Sequence, residues 1–281
     1  QIDAYDVVVN KPKVAAYRAP GAPHVAFAAE QVVDEIAEEL GMRPIDLRIK
    51  NAAIEGDRRV DGVMNGSLGS LETMEAMKAH PHYKSSLSKK TVDSRVRGRG
   101  VGMGFCRNNS GPASVVLSVN PDGTVNLVEG SVDIGGSRTA ISQVVAEVLG
   151  IEVESVNPSV GDTDTIGFTS VTGGSGVVYK TGWAGHDAAN DIKRQVIARA
   201  AMIWDKPQEE VEYLDGVIQH KSDPELRLSF QEIAAEMNDT GGPILGRGAV
   251  NPPGIGGSFA GNIVDVEVDP ETGKVTVVRF T

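Results

Sequence analysis

GSVDIGGSRTAISQVVAEVLG, residues 130–150, and GDTDTIGFTSVTGGSGVVYKTG, residues 161–182, carry one pattern twice. In each, a glycine-rich turn (Ile134 to Arg138, then Val171 to Gly176) runs straight into a helical periodicity. The first helical stretch puts Ile141, Val144, Val145, Val148 and Leu149 on one face, with Gly150 at the C-cap position. The second starts near Ser175, reaches about Trp204, and carries Val178, Trp183, Ile192, Val196 and Ile197. A helix start exposes unpaired N–H groups at the positive end of a dipole. A glycine turn lets an anion approach that backbone closely. Two such turns, one with Arg138, point to a large anionic ligand. An ordinary strand-to-helix turn has the same pattern, and either turn taken alone favours that plainer reading.

Outward from this stretch, Ser114–Val119 and Thr124–Val128 flank Asn120–Pro121–Asp122–Gly123 and read as a hairpin, and Val153–Val160 reads as a strand. Asp162 and Asp164 suit side-chain caps in a turn better than a metal site. Arg97–Phe105 has glycine at alternate positions, which predicts a strand with close backbone contacts. Downstream, Val211–His220 predicts a small hairpin around Asp215–Gly216. Ser229 with Glu232 predicts a capping box opening a helix to Asn238. Residues 241–261 are rich in Gly and Pro and read as a long irregular loop that shapes a site or an interface. Ile263–Asp269 and Lys274–Thr281 alternate as two strands around Pro270–Gly273. The second of these runs to the last residue and residue 1 is Gln, so a piece of a longer chain is expected.

Upstream, Tyr5–Val9 reads as an apolar strand. AYRAPGAPH (16–24) is a loop feeding a helix over 23–40, with Val25, Ala28, Val32, Ile36 and Leu40 on its apolar face. Arg18 stands before that helix start, where a guanidinium suits a phosphate or other anionic oxygen cluster and equally suits a plain surface turn. Short helices are expected at 44–51 and 71–79, with a loop at 55–70. The polar stretch 80–93 is the expected domain boundary. His80 and His82 read as a solvated pair, not a zinc site.

The chain has 281 residues and a formal charge of −11, and its Lys and Arg are scattered. Aromatics are 5%, so nucleic acid and anionic membrane surfaces are poor partners. No apolar run is long enough to span a bilayer as a helix. The single cysteine, Cys106, excludes an internal disulfide or a cysteine-ligated iron–sulfur cluster within these residues, and reads as a small buried side chain. A reducing, cytoplasmic location is expected.

Taken in order, NKPKVAAYRAPGAPHVAFAAEQVVDEIAEELGMRPIDLRIKN, NPDGTVNLVEGSVDIGGSRTAISQVVAEVLGI, GDTD with the loop at 169–176, and IVDVEVDPETGKVTVVRF resemble the molybdopterin-binding catalytic subunit of the xanthine dehydrogenase/aldehyde oxidase family. The resemblance spans nearly the whole chain and marks it as an internal fragment of such a subunit. It implies an α+β (mixed α/β) fold with two molybdopterin-binding-type domains. The first, ending at residue 85, would be only partly present; the second would run over 94–281.

The family hydroxylates aldehydes or nitrogen heterocycles with water as oxygen source. Its cofactor is molybdopterin with molybdenum, often as the cytosine dinucleotide, with 2Fe-2S and FAD on other domains or subunits. By resemblance, Arg18 lies near the metal and substrate. Gly135, Gly136 and Thr139 lie in one cofactor turn, and Ser170, Thr172, Gly173, Gly174 and Ser175 in a second. The implied partners are iron–sulfur and flavin subunits or domains, the remainder of the molybdopterin subunit, a small-molecule substrate and a second copy of the assembled enzyme.

Departures are also legible. Gly135 stands where the family often has Gln, so a hydrogen bond is lost or supplied by Ser137 or Arg138. Arg18–Ala19–Pro20–Gly21 replaces a frequent RGFG. The cysteine loop of carbon monoxide dehydrogenases is absent, which speaks against that activity. The catalytic-glutamate motif GxGE and the upstream GGGFGG loop are absent too, and Gly254–Gly261 resembles the latter only loosely. A fragment without the glutamate would be inactive alone. The alternative is a non-catalytic structural or assembly subunit that keeps the fold without the cofactor.

Overall fold

Alternating burial along residues 113–129 builds the central hairpin. Ala113, Val115, Leu117 and Val119 on one strand, and Val125 and Leu127 on the next, face inward. The computed structural model describes residues 3, 5–12, 16–87, 94–106, 108–253 and 257–281. In chain order its helices are α1 (Ala22–Glu39), α2 (Pro44–Lys50), α3 (Ser70–Ala79), α4 (Pro81–Lys84), α5 (Ser137–Leu149), α6 (Thr163–Ile166), α7 (Val177–Trp204) and α8 (Phe230–Ala235). Its strands are β1 (Val96–Cys106), β2 (Ala113–Val119), β3 (Val125–Glu129), β4 (Val156–Val160), β5 (Val211–Leu214), β6 (Val217–His220), β7 (Arg227–Ser229), β8 (Leu245–Val250), β9 (Ser258–Val268) and β10 (Val275–Phe280). This is the expected mixed α/β fold. Two compact units divide it, residues 1–106 with 256–281, and residues 107–255. The expected break at 85/94 does not coincide with that division, because β9 returns to pair with β1 along its whole length.

In the unit of residues 107–255 the sheet order is β4-β3-β2-β8. β3 and β4 pair in parallel, with α5 as the crossover between them; the other pairs are antiparallel. α7 lies across the sheet on small residues. Gly246 and Gly248 of β8 meet the Ala188 and Ala184 carbonyls, so a Cβ at either position would overlap helix backbone. This corrects the expected irregular loop at 241–261, of which 254–256 lie outside the described residues. Gly246 and Gly248 show no apolar inward face in the sequence, yet they are what lets this strand sit under a helix.

A second sheet, β5-β6-β7, follows α7. Buried Tyr213 donates its hydroxyl to the Leu149 carbonyl at the end of α5, and burial raises that phenol's pKa. The expected capping box on α8 is present: Glu232 N–H donates to Ser229 Oγ and Ser229 N–H to Glu232 Oε2. Ser229→Ala should lower stability by about 1 kcal/mol; an unchanged urea midpoint would contradict that.

In the other unit, antiparallel β1-β9-β10 form the sheet, and Ile45, Met74, Met77 and Ile263 form a small core. The glycines of β1 are not tightly approached, the nearest atoms to a virtual Cβ being 3.8 Å away at Gly98 and Gly102. Close contact lies on the partner strand instead, where Gly261 meets Met77. α1 closes the β1 edge: the Met103 N–H donates to Glu30 Oε2 at 2.7 Å. Buried Arg48 ties α2 to α1 through Glu30 at 2.9 Å and Asp34 at 2.7 Å. α1 therefore turns its Glu30–Asp34–Ala37 side inward, and its expected apolar face, Val25, Val32, Ile36 and Leu40, is exposed.

Three further expectations are corrected. Tyr5–Val9 is not a strand and is exposed; among the described residues no other strand pairs with it. His82 is fully buried, with Nε2 3.1 Å from Asp265 Oδ2 and Nδ1 2.9 Å from Thr281 Oγ1. Cys106 is half-buried. Among the described residues no helix is long and apolar enough to cross a membrane, and no cluster of three or more His, Cys, Asp or Glu could hold a metal ion.

Candidate functional site

The parallel pairing of β3 and β4 puts both glycine turns at one edge of the sheet. Glu129, the last residue of β3, pairs with Val160, the last of β4. The chain leaves β3 through 130–136 into α5, and leaves β4 through 161–176 into α7. Ile141 and Val145 of α5 meet Gly185 of α7, and Val144 meets Gly182, a few residues in from each helix start. The two N-termini are thus carried side by side at the carboxyl edge of the parallel strands, where open α/β sheets place ligands.

At the α5 start, Gly135 (φ 63°) and Gly136 (φ 78°) are both left-handed, and among the described residues nothing lies within 4 Å of where a Cβ would stand. The backbone can turn there and be approached from outside. The positive end of the dipole already has a carboxylate. Asp133 Oδ1 accepts from the Arg138 N–H and from Ser137 Oγ, each at 3.2 Å, and Oδ2 lies 3.2 Å from Arg138 Nε. The Arg138 N–H holds the Asp133 carboxyl below the usual range. Ser137 is buried, its Oγ also accepting from the Ile134 N–H, while Thr139 is exposed. Two residues expected to serve a ligand, Ser137 and Arg138, are thus engaged with Asp133.

The α7 start is built differently. The Asn109 N–H donates to the Gly174 carbonyl at 2.7 Å, and the Asn109 side chain fills the space beside left-handed Gly174. Ser175 also has positive φ (59°), Thr172 is half-buried, and Gly173 is open. The Ser170 N–H donates to the Pro112 carbonyl. Lys180, fully buried one turn into the helix, donates to Ser170 O (2.8 Å), Ser170 Oγ (2.7 Å) and Val171 O (2.8 Å). All three acceptors are uncharged, and burial lowers the lysine's pKa. The buried positive charge and the positive end of the α7 dipole together fit an anion.

Between the turns sits Glu129, fully buried. Its Oε2 accepts from Ser131 Oγ at 2.7 Å, while Oε1, like Thr169 Oγ1, is buried with no hydrogen-bond partner among the described residues. Burial raises the Glu129 pKa. Gly130 brings the two turns into contact, a Cβ there lying 2.9 Å from the Gly167 carbonyl. Asp133, Lys180 and Glu129 were not singled out from the sequence. The signals were a carboxylate on a helix start, a lysine on the apolar face of a helix, and an acid at an inward strand position.

Arg18 lies in the other unit, exposed on a bend before α1. Ala19 (φ 50°) and Gly21 (φ 78°) tighten that bend, and the Ala22 N–H donates to Ala19 O.

A family model described as "Molybdopterin cofactor-binding domain" matches residues 75–281, and a second of the same description matches 1–52. The xanthine dehydrogenase molybdenum-binding subunit of Escherichia coli O157:H7 is 32% identical over 96% of this chain and 38% of its own length. The aldehyde oxidoreductase molybdenum-binding subunit of the same organism is 28% identical over 97% of this chain and 36% of its own. The chain thus spans well under half of these relatives. Among solved structures, CO dehydrogenase from Oligotropha carboxidovorans superposes with a TM-score of 0.77 at 21% identity, covering 92% of this chain and 36% of that one. Aldehyde oxidoreductase from Desulfovibrio desulfuricans gives 0.70 at 23%, covering 94% and 28%. These last two establish the fold.

Proposed function

The chain belongs to the molybdopterin cofactor-binding domain family, and from that membership we propose that it is part of the molybdenum-binding subunit of a molybdenum hydroxylase, oxidising an aldehyde or N-heterocycle with water as oxygen source. The observation that carries this reading is the pair of glycine turns opening α5 and α7 at one sheet edge. When bound, the cofactor supplies the two-electron redox chemistry. Gly135, Gly136 and Thr139 offer backbone and hydroxyl groups to its uncharged part. Ser170, Thr172, Gly173, Gly174 and Ser175 cradle its anionic part. Residues 1–85 and 94–281 belong to two successive family domains. Arg18 orients the substrate as negative charge develops. The general base, 2Fe-2S and flavin centres belong to other segments or partner chains, so these residues alone turn over no substrate. The assembled enzyme is a cytoplasmic dimer.

A second reading has specific support: Gly135 offers no side chain, and Asp133 already occupies the first turn. On that reading the chain is a cofactor-free structural subunit. Molybdenum and pterin analysis of the full-length polypeptide, from a host that makes the cofactor, separates the two. Near-stoichiometric metal and pterin support the hydroxylase; their absence from a folded protein supports the structural subunit. In the loaded enzyme, Arg18→Ala should lower kcat about a hundredfold while molybdenum content stays within about twofold. Parallel loss of metal and activity would remove Arg18 from the substrate site.

A further inference from the structure

Lys180 is a buried group that the fold alone does not explain. Its three protons all go to residues 170 and 171, so it fastens the entry of the second turn to the first turn of α7. A neutral amide could make two of these three bonds without any charge. An ammonium buried among neutral acceptors is costly unless an opposite charge sits near it. The described ion pairs give Lys180 no carboxylate. The contrast with the first turn is direct, since there Asp133 fills that role.

We propose that Lys180 is a positioning residue for the anionic part of the cofactor: it holds the Ser170–Val171 bend and supplies, from beneath, the positive charge that a phosphate group on the 172–176 turn neutralises. This rests on the hydroxylase reading above. The ammonium does not touch the ligand. It aligns the loop and adds its field to that of the α7 N-terminus, which lies one turn away. The charge cost of the cofactor-free protein is relieved on loading.

The test uses the full-length polypeptide produced with and without cofactor synthesis. Lys180→Gln keeps a neutral donor and removes the charge; Lys180→Arg keeps the charge. The expected result is a folded Gln variant, shown by thermal unfolding, that retains about tenfold less molybdopterin than wild type, with the Arg variant closer to wild type. A folded Gln variant with full cofactor content would overturn the proposal. A wild type without molybdopterin would instead overturn the hydroxylase reading. If the Gln variant does not fold, acylation of wild-type lysines read by mass spectrometry decides. Lys180 should become several-fold more reactive in the cofactor-free protein, about the factor expected from losing one charge contact. Equal protection in both forms would reduce Lys180 to a staple and sink the proposal.

Discussion

Gly248→Val is expected to destabilise the unit of residues 107–255 by more than about 3 kcal/mol, at or beyond the upper end of overpacking costs. The reason is geometric. The first atom of any side chain at 248 meets the Ala184 carbonyl, which belongs to the α7 backbone and cannot rotate away. Relief requires α7 to lift from β8, and α7 also carries Ala184, Ala188 and Ile192 into the main core. The helix that presents the second glycine turn would move with it. The urea midpoint of the variant should therefore drop steeply. Gly66→Ala, where nothing lies within 4 Å of the added atom, should change stability by less than about 0.5 kcal/mol. Equal midpoints for Gly248→Val and wild type would mean that helix and strand are not packed backbone to backbone.

Removing the Asp265 carboxylate should have a comparable effect on the other unit. Arg99 grips it with two hydrogen bonds, Nε to Oδ1 at 2.6 Å and Nη2 to Oδ2 at 2.9 Å. His82 lies against the second oxygen. The strand register makes this pair, because Arg99 stands directly opposite Asp265, as Arg97 stands opposite Glu267. Asp265→Asn leaves a half-buried guanidinium and the buried His82 without their counter-charge, a loss of about 3 kcal/mol. The acid limb should change as well. The Arg99 hydrogen bond, helped by His82, pushes the Asp265 pKa down to about 2. A depressed carboxylate stabilises fully above its unfolded pKa, about 3.9, and that contribution disappears as pH falls through the folded value. Wild type should therefore lose this share of stability between about pH 4 and pH 2, and the Asn variant should not. Urea midpoints measured across that range check it; parallel curves would show that the pair contributes nothing to folding.

Much of the fold was legible because it is local. The helices at 137–149 and 177–204, the hairpin 113–129 and the Ser229 cap follow from periodicity, turn chemistry and capping residues a few positions apart. Where partners are distant in sequence the reading failed. Leu245–Val250 lies within a Gly- and Pro-rich stretch with no apolar alternation, and only the approach of α7 gives its glycines a purpose. His82 looked solvated because Asp265 and Thr281, far along the chain, are what bury it. The apolar stripe of α1 reads in sequence as a core face, but Arg48 and the β1 edge hold the opposite side inward.

The candidate site divides the same way. The sequence by itself determined the two glycine turns, the helices they open and the family they resemble, since glycine conformation and helix starts are encoded within a few residues. Tertiary structure alone decided that the parallel β3–β4 pair brings both turns to one edge. It also decided that Asp133 occupies the first turn while Lys180 lies buried under the second, with no carboxylate paired to it among the described residues. Whether a charge is solvated, paired or left to seek a ligand depends on what surrounds it in space, and that is fixed only when distant segments pack.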